Sequence, residues 1–315
     1  MNTPVRLLAS AAVLVVVFAL ALIGGRTLLP AGLAQAWQGR TGNTPSTGTA
    51  DHSEGDTEAG HDPTGGAHGE EPAGPDAAPD AVRGLSVAQN GYQLEALSAP
   101  RRVGQDGTLT FRLTGPDGRP VTDYTTAHDK DLHLIVVRTD GTRFRHVHPT
   151  MDGEGTWSLP WRWTVAGSYR VFADFVPAAT GETLTLTSTV EVAGTVQPAP
   201  LGPDRTRTAV DGFTVTVDGA PVTGGSAELR FTVTRDGTPV PLQPFLGAAG
   251  HLVALRTGDL AYLHVHPMDD SAGRSPSDPQ VVFTAEAPTP GRYLLYLDFQ
   301  VDGQVHTATF TTTAR

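Results

Sequence analysis

The chain has 315 residues with 36 glycines, 25 prolines, no cysteine and a formal charge of −11. Without cysteine there is no disulfide framework, no thiolate metal ligand and no lipobox lipid attachment, so any metal must be held by histidine, carboxylate or methionine. Basic residues number 22 against 33 acidic ones and form no run, which argues against a nucleic-acid or membrane-surface patch.

Residues 1–6 are expected on the cytoplasmic side. Nineteen uncharged, mostly apolar residues run from Leu7 to Gly25 between Arg6 and Arg26. At ~1.5 Å per helical residue they span roughly 28 Å, about one bilayer core, so segment 7–29 reads as a transmembrane anchor. Ala34-Gln35-Ala36 offers the alternative of a cleaved signal peptide. The expected location is the cell membrane, single-pass with the C-terminal domains extracytoplasmic, or secreted if cleavage occurs.

Residues 38–83 read as a disordered acidic linker. Positions 41–80 hold nine acidic residues and no Lys or Arg, so they carry most of the net charge and leave the remainder near neutral. His52, His61 and His68 lie among those acids and would gather divalent cations weakly; the plainer reading is a solvated spacer.

Beyond the linker the sequence repeats. Phe111, Gly118 and Pro120 answer to Phe231, Gly237 and Pro239, and Gly167-Ser168-Tyr169 with Asp174-Phe175 answers to Gly291-Arg292-Tyr293 with Asp298-Phe299. Two homologous modules follow, residues 84–196 and 205–315, with Pro198, Pro200 and Pro203 marking the joint. In the first, strands are expected over Tyr92–Ala96, Thr108–Leu113, Leu132–Arg138, Arg143–His148, Tyr169–Phe175 and Leu184–Val192. Alternation, Thr and Val enrichment and turn signals about every ten residues argue for immunoglobulin-like sandwiches, with Tyr169 and Tyr293 at tyrosine-corner positions. The expected fold is all-β: two tandem immunoglobulin-like β-sandwich domains preceded by a transmembrane helix and a disordered linker.

His133 is followed thirteen residues later by His146-Val147-His148-Pro149, and His251 thirteen residues later by His264-Val265-His266-Pro267. Imidazole is the commonest side-chain metal ligand, and one site needs several. If Asp140-Gly141 is a two-residue hairpin turn, His133 falls opposite His148 and Ile135 opposite His146; a Gly258-Asp259 turn sets His251 opposite His266 in the same way. The imidazoles then share one face with Ile135, Val137 and Phe144, or with Val253, Leu255 and Tyr262. Because Arg138, Arg143 and Arg145 occupy the reverse face, the histidine face is expected to be the inner one. Pro149 and Pro267 end their strands and hold the last histidine at the rim.

Crowded imidazoles depress each other's pKa and favour neutral, ligating forms, which favours a cation over separate hydrogen bonds. Histidines tied to backbone at a strand end remain the alternative. Met151 and Met268 follow the motifs; as ligands they would favour cuprous copper, and otherwise they fill core or rim. Asp174 and Asp298 are each a fourth ligand, an acceptor orienting an imidazole N–H, or a strand-end residue bonding a turn. His128 is a further possible ligand without a counterpart, and His306 a weaker one. Trp157, Trp161 and Trp163 read as core and rim aromatics.

The stretch from His128-Asp129-Lys130-Asp131-Leu132-His133 to Phe144-Arg145-His146-Val147-His148-Pro149 resembles a poorly characterised family of exported bacterial proteins. Its tandem Ig-like or cupredoxin-like modules carry a His-x-His-Pro motif. The resemblance implies copper or heavy-metal handling. A His-Val-His strand is also similar to the copper ligands of copper–zinc superoxide dismutases, whose cysteine pair and zinc-loop histidines this chain lacks. Blue-copper proteins share the Gly-x-Tyr strand, but their ligating cysteine is missing.

The expected function is therefore a membrane-anchored extracytoplasmic protein that buffers or passes on metal: copper, or alternatively zinc. One ion per module would be held by His133, His146 and His148 with Asp174, and by His251, His264 and His266 with Asp298. A metal-transfer protein of unknown identity would be its partner. No nucleophile–base pair, phosphate loop or paired carboxylates favour an enzyme. The rival readings are a copper-dependent redox enzyme and a structural or adhesive surface module without metal.

Overall fold

The computed structural model describes residues 82–268 and 279–315. The expected anchor, its cleavage alternative, residues 38–81 of the linker and the linker histidines lie outside the described residues. Among the described residues no helix is long and apolar enough to cross a membrane. Arg83, at the end of the expected linker, belongs to the folded part, since its carbonyl accepts a 2.9 Å bond from Tyr262 N.

The first module contains β1 (Ala88–Gln89), β2 (Tyr92–Ser98), β3 (Asp106–Thr114), β4 (Leu132–Arg138), β5 (Arg145–Val147), β6 (Thr150–Met151), β7 (Thr156–Arg162), β8 (Gly167–Phe175) and β9 (Leu184–Val192). They form one sheet in the order β1-β2-β3-β7-β6 and a second in the order β5-β4-β8-β9. Leu109, Phe111 and Trp157 from the first sheet meet Leu134, Val136 and Val171 from the second in a buried core.

The second module contains β10 (Arg207–Val210), β11 (Phe213–Asp218), β12 (Val222–Thr223), β13 (Ala227–Arg235), β14 (Thr238–Pro239), β15 (His251–Arg256), β16 (His264–Pro267), β17 (Gln280–Ala287), β18 (Gly291–Val301) and β19 (Gln304–Ala314). β10-β11-β13-β17-β12 make one sheet, with β14 on β13 and β16 on β17, and β15-β18-β19 make the other. Phe231, Phe283, Leu295 and Phe310 fill its core. The described chain is thus all-β, two immunoglobulin-like sandwiches in tandem. In both, the tyrosine corner forms: Tyr169 OH donates to Val165 O and Tyr293 OH to Thr289 O, each at 2.8 Å and each four residues upstream.

A third core joins the modules. Every residue of β4 is buried, which an antiparallel strand with one wet face does not show. Leu132, Leu134 and Val136 point into their own sandwich, while Ile135 and Val137 pack with Phe172 against Val253, Leu255 and Tyr296 of the second module. Alternation puts His133 on the same face as Ile135. This corrects the expected inner placement: the histidine face is the outer face of its sandwich, and it is buried because the other module covers it.

Phe144 stacks on Tyr296 with ring centres 4.1 Å apart, and Tyr262 meets Phe172 at 6.0 Å. Phe144 corresponds to Tyr262 in the repeat and Phe172 to Tyr296. The two contacts are therefore one contact made twice, and the modules are related by a pseudo-two-fold axis, as in an isologous dimer. Tyr296 OH adds a 2.7 Å bond to Gly141 O.

Candidate metal centre

The hairpin that presents the first motif keeps the expected pairing by a different turn. Arg138 N bonds Thr142 O at 2.9 Å, which makes a three-residue loop, and Arg143 takes a φ of 60° as an extra, bulged residue. Below it Ile135 pairs with His146 and Leu134 with Val147, as the sequence expected. The turn is fixed by Asp140, whose carboxylate accepts from Arg138 Nε and Nη2, Thr142 N and Oγ1, and Ala199 N in the inter-module joint. Burial pushes the Asp140 pKa up, but these donors outweigh it and hold the carboxyl below its ordinary range.

His133 Nδ1 lies 3.0 Å from His146 Nε2 and 3.1 Å from His148 Nε2. His133 Nε2 is 3.0 Å from Ala127 O. A carbonyl only accepts, so Nε2 carries the hydrogen and Nδ1 is bare. His146 Nδ1 is 2.9 Å from Asp298 Oδ2. In its neutral form, donating there leaves His146 Nε2 bare too, and two nitrogen lone pairs then face each other. Two ligands on one ion at about 2.0–2.1 Å stand roughly 2.9–3.4 Å apart for angles between about 90° and 109°. The observed separations fall in that span, and the ligating atoms of all three residues lie within 4.8 Å of one another.

Both backbone anchors come from one device used twice. Ala127 to Lys130 is a tight turn with His128 and Asp129 at positive φ, and Phe245 to Ala248 is its counterpart with Leu246 and Gly247 at positive φ. His251 Nε2 donates to Phe245 O at 2.9 Å, as His133 does to Ala127 O. Sequence reasoning missed these turns, although Leu246-Gly247 carries a glycine signal. His128, at the site of Leu246 in the repeat, brings its ring to 5.1 Å from that of His251.

Burial, then the neighbouring His146, pushes the His133 pKa down to about 3 despite the opposing Ala127 carbonyl. The same two causes, with His133 as a further neighbour, bring His148 to about 3. Burial brings His251 to about 4 against the Phe245 carbonyl, with His146 and His128 adding to the fall. All three rings are neutral at physiological pH, the form that ligates a metal.

The second module's histidines are not paired across one hairpin as expected. The pairing near the turn holds, with Arg256 N bonded to Ala261 O and Leu263 N to Ala254 O. After Leu263, however, the chain leaves β15, and β16 pairs His264 with Glu286 and His266 with Thr284 on β17. His251 does not face His266; its ladder partner is Asp298. The His251 ring lies 6.2 Å from that of His133 and 6.0 Å from that of His146, so it joins the first module's cluster.

Asp298 likewise serves His146 of the other module, with its second oxygen bonded by Thr307 Oγ1 at 2.6 Å. Asp174, its counterpart, pairs with His133 across the β4–β8 ladder and accepts from Thr185 Oγ1 at 2.6 Å. Burial raises its pKa above the ordinary range. Both threonines sit directly across the sheet from their aspartates, a signal that register arithmetic could have found. Asp174, His128, His133, His146, His251 and Tyr262 border a cavity of about 160 Å³.

Neither methionine joins the histidines: Met151 packs against the first core and Met268 is 44% exposed. His306 bonds Asp211 at 2.8 Å and packs beside Phe213 and Phe299, away from the site.

A family model described as "Domain of unknown function (DUF8832)" matches residues 86–194 and again 208–315. The chain belongs to this family. Its two DUF8832 copies coincide with the two sandwiches. No curated protein matches the chain. Among solved structures it is similar to a Salmonella alpha-2-macroglobulin mutant, 16% identical over 74% of this chain but 15% of that one, with a TM-score of 0.24. Domains 4 and 5 of the S-layer protein SbsC are 12% identical over 73% of this chain and 98% of that one, TM-score 0.23. Invasin, described as a bacterial integrin-binding protein, is 13% identical over 71% and 39%, TM-score 0.21.

Proposed function

We propose that the protein is a membrane-anchored, extracytoplasmic metal-binding protein that buffers or passes on a copper-type ion held by His133, His146 and His148. The observation that supports this most is the 3.0 Å approach of His133 Nδ1 to His146 Nε2, with each ring held by an oxygen acceptor at its other nitrogen. Without a proton or a cation between them, two lone pairs at that distance repel. His146 with its carboxylate partner matches the carboxylate–histidine–metal arrangement of protein metal sites.

With both methionines elsewhere, the donor set is imidazole nitrogen, which suits copper and zinc, and copper leads zinc in intrinsic affinity. The cavity bordered by His133 and His146 adjoins the triad, which fits buffering and transfer. In this reading Leu7 to Gly25 is the tether and the acidic segment holds the modules off the membrane.

The test is elemental analysis of protein purified without chelators, followed by copper titration read by electron paramagnetic resonance. The expected result is stoichiometric copper with nitrogen coupling that His148→Ala weakens. Protein that takes up neither copper nor zinc would sink the proposal.

A further inference from the structure

We infer that the first module's ion site is completed by the second module: Asp298 is the positioning residue for His146, so ion binding and module docking form one linked equilibrium. This rests on the metal reading above and concerns how that site is governed. The contact joins residues 152 positions apart, and the two side chains are only 4% and 5% exposed. Thr307 holds one carboxylate oxygen, which leaves the other aimed at His146 Nδ1. A neutral imidazole can carry its hydrogen on either nitrogen, and only the Nδ1–H form presents a bare Nε2 to His133.

The first module has no substitute in place. Its own strand-end carboxylate, Asp174, bonds Thr185, and it is Asp298, bound by Thr307 in the same way, that reaches His146 Nδ1. His146 is thus oriented only while the outer sheets are face to face, held by the Phe144–Tyr296 and Phe172–Tyr262 ring contacts and the Tyr296–Gly141 bond. Linkage is reciprocal: whatever docking adds to ion affinity, the ion returns to docking. Loosening the interface is then a route to release the ion without protonating a ligand.

The experiment compares full-length protein with Asp298→Asn and Asp298→Glu by copper(II) titration against a competing chelator, with electron paramagnetic resonance and metal-free thermal midpoints. Asp298→Asn is expected to weaken binding by about 10–100-fold and to change the copper spectrum, while Asp298→Glu restores part of both. A folded Asp298→Asn protein with unchanged affinity and spectrum would overturn the inference and leave the metal reading standing. Should that variant fail to fold, long-range proton–nitrogen correlation on the metal-free wild type reads the His146 tautomer. Nδ1–H is expected, and Nε2–H overturns the inference. Wild-type protein that binds no copper defeats the metal reading instead, and the tautomer still reports whether Asp298 holds His146.

Discussion

In the first module the chain after the hairpin stays beside β4 through Val147 and reaches β7 only at Thr150, whereas in the second it leaves β15 before His264 and runs along β17 for four residues. The registers are equivalent: Thr150 pairs with Ser158 as Met268 N bonds Val282 O. Two residues on from Val282 stands Thr284, paired with His266; two on from Ser158 stands Pro160. Proline has no N–H, so the first ladder stops where the second continues. The same motif is thus kept near its hairpin partner or drawn to the opposite sheet by a donor on a neighbouring strand.

The largest expected difference between the modules lies at their hairpin turns. Arg138–Asp140 has side chains 6% and 12% exposed, while Arg256–Asp259, its counterpart, has 19% and 42%. Asp140→Ala should cost about 3 kcal/mol in urea denaturation, and Asp259→Ala under about 1 kcal/mol; equal costs would remove this asymmetry. Because the folded-state pKa of Asp140 is depressed, its contribution is full above about pH 4 and is lost as pH falls below that. The acid limb of the stability curve should accordingly flatten in Asp140→Asn.

Next in size, His133→Ala should reduce copper affinity more than about 100-fold, beyond the range typical of outer partners, and His251→Ala about tenfold. Competition titration of both variants decides it, and equal losses would place the ion midway between the modules. Pro160→Thr restores the missing donor, so β5 should shift toward β7 and copper affinity should fall about tenfold, the equivalent of one or two ladder hydrogen bonds. Hydrogen exchange at residues 145–147 would show the same shift; unchanged exchange would mean that proline is not the stop. The smallest effect is the symmetric one. Tyr169→Phe and Tyr293→Phe should each cost about 1 kcal/mol by thermal denaturation, because each removes one equivalent hydrogen bond.

Much of this was legible in the sequence where local rules hold. The duplication, the corner tyrosines and the Ile135–His146 register follow from spacing and alternation. β7 was missed because Pro160 interrupts it and Trp157 and Trp161 read only as core aromatics. It tolerates that proline where β6 no longer pairs with it. The inner placement of the histidine face failed for another reason. A run such as Leu132 to Val137 is apolar on both faces, and composition cannot say whether the second face meets its own sandwich or another. Assigning Asp298 to the second module's own site failed likewise, since sequence proximity is a poor guide once two modules pack by their outer sheets.

The pseudo-two-fold axis has an evolutionary consequence. Two separate, identical subunits docked in this way would carry the same residue at positions 160 and 284 and at 128 and 246, and every change to one half would be imposed on the other. Joined in a single polypeptide, the halves drift independently: one has His128 and Pro160 where the other has Leu246 and Thr284, and the other supplies the carboxylate that orients His146. Covalent fusion made it possible for a symmetric partnership to become a division of labour.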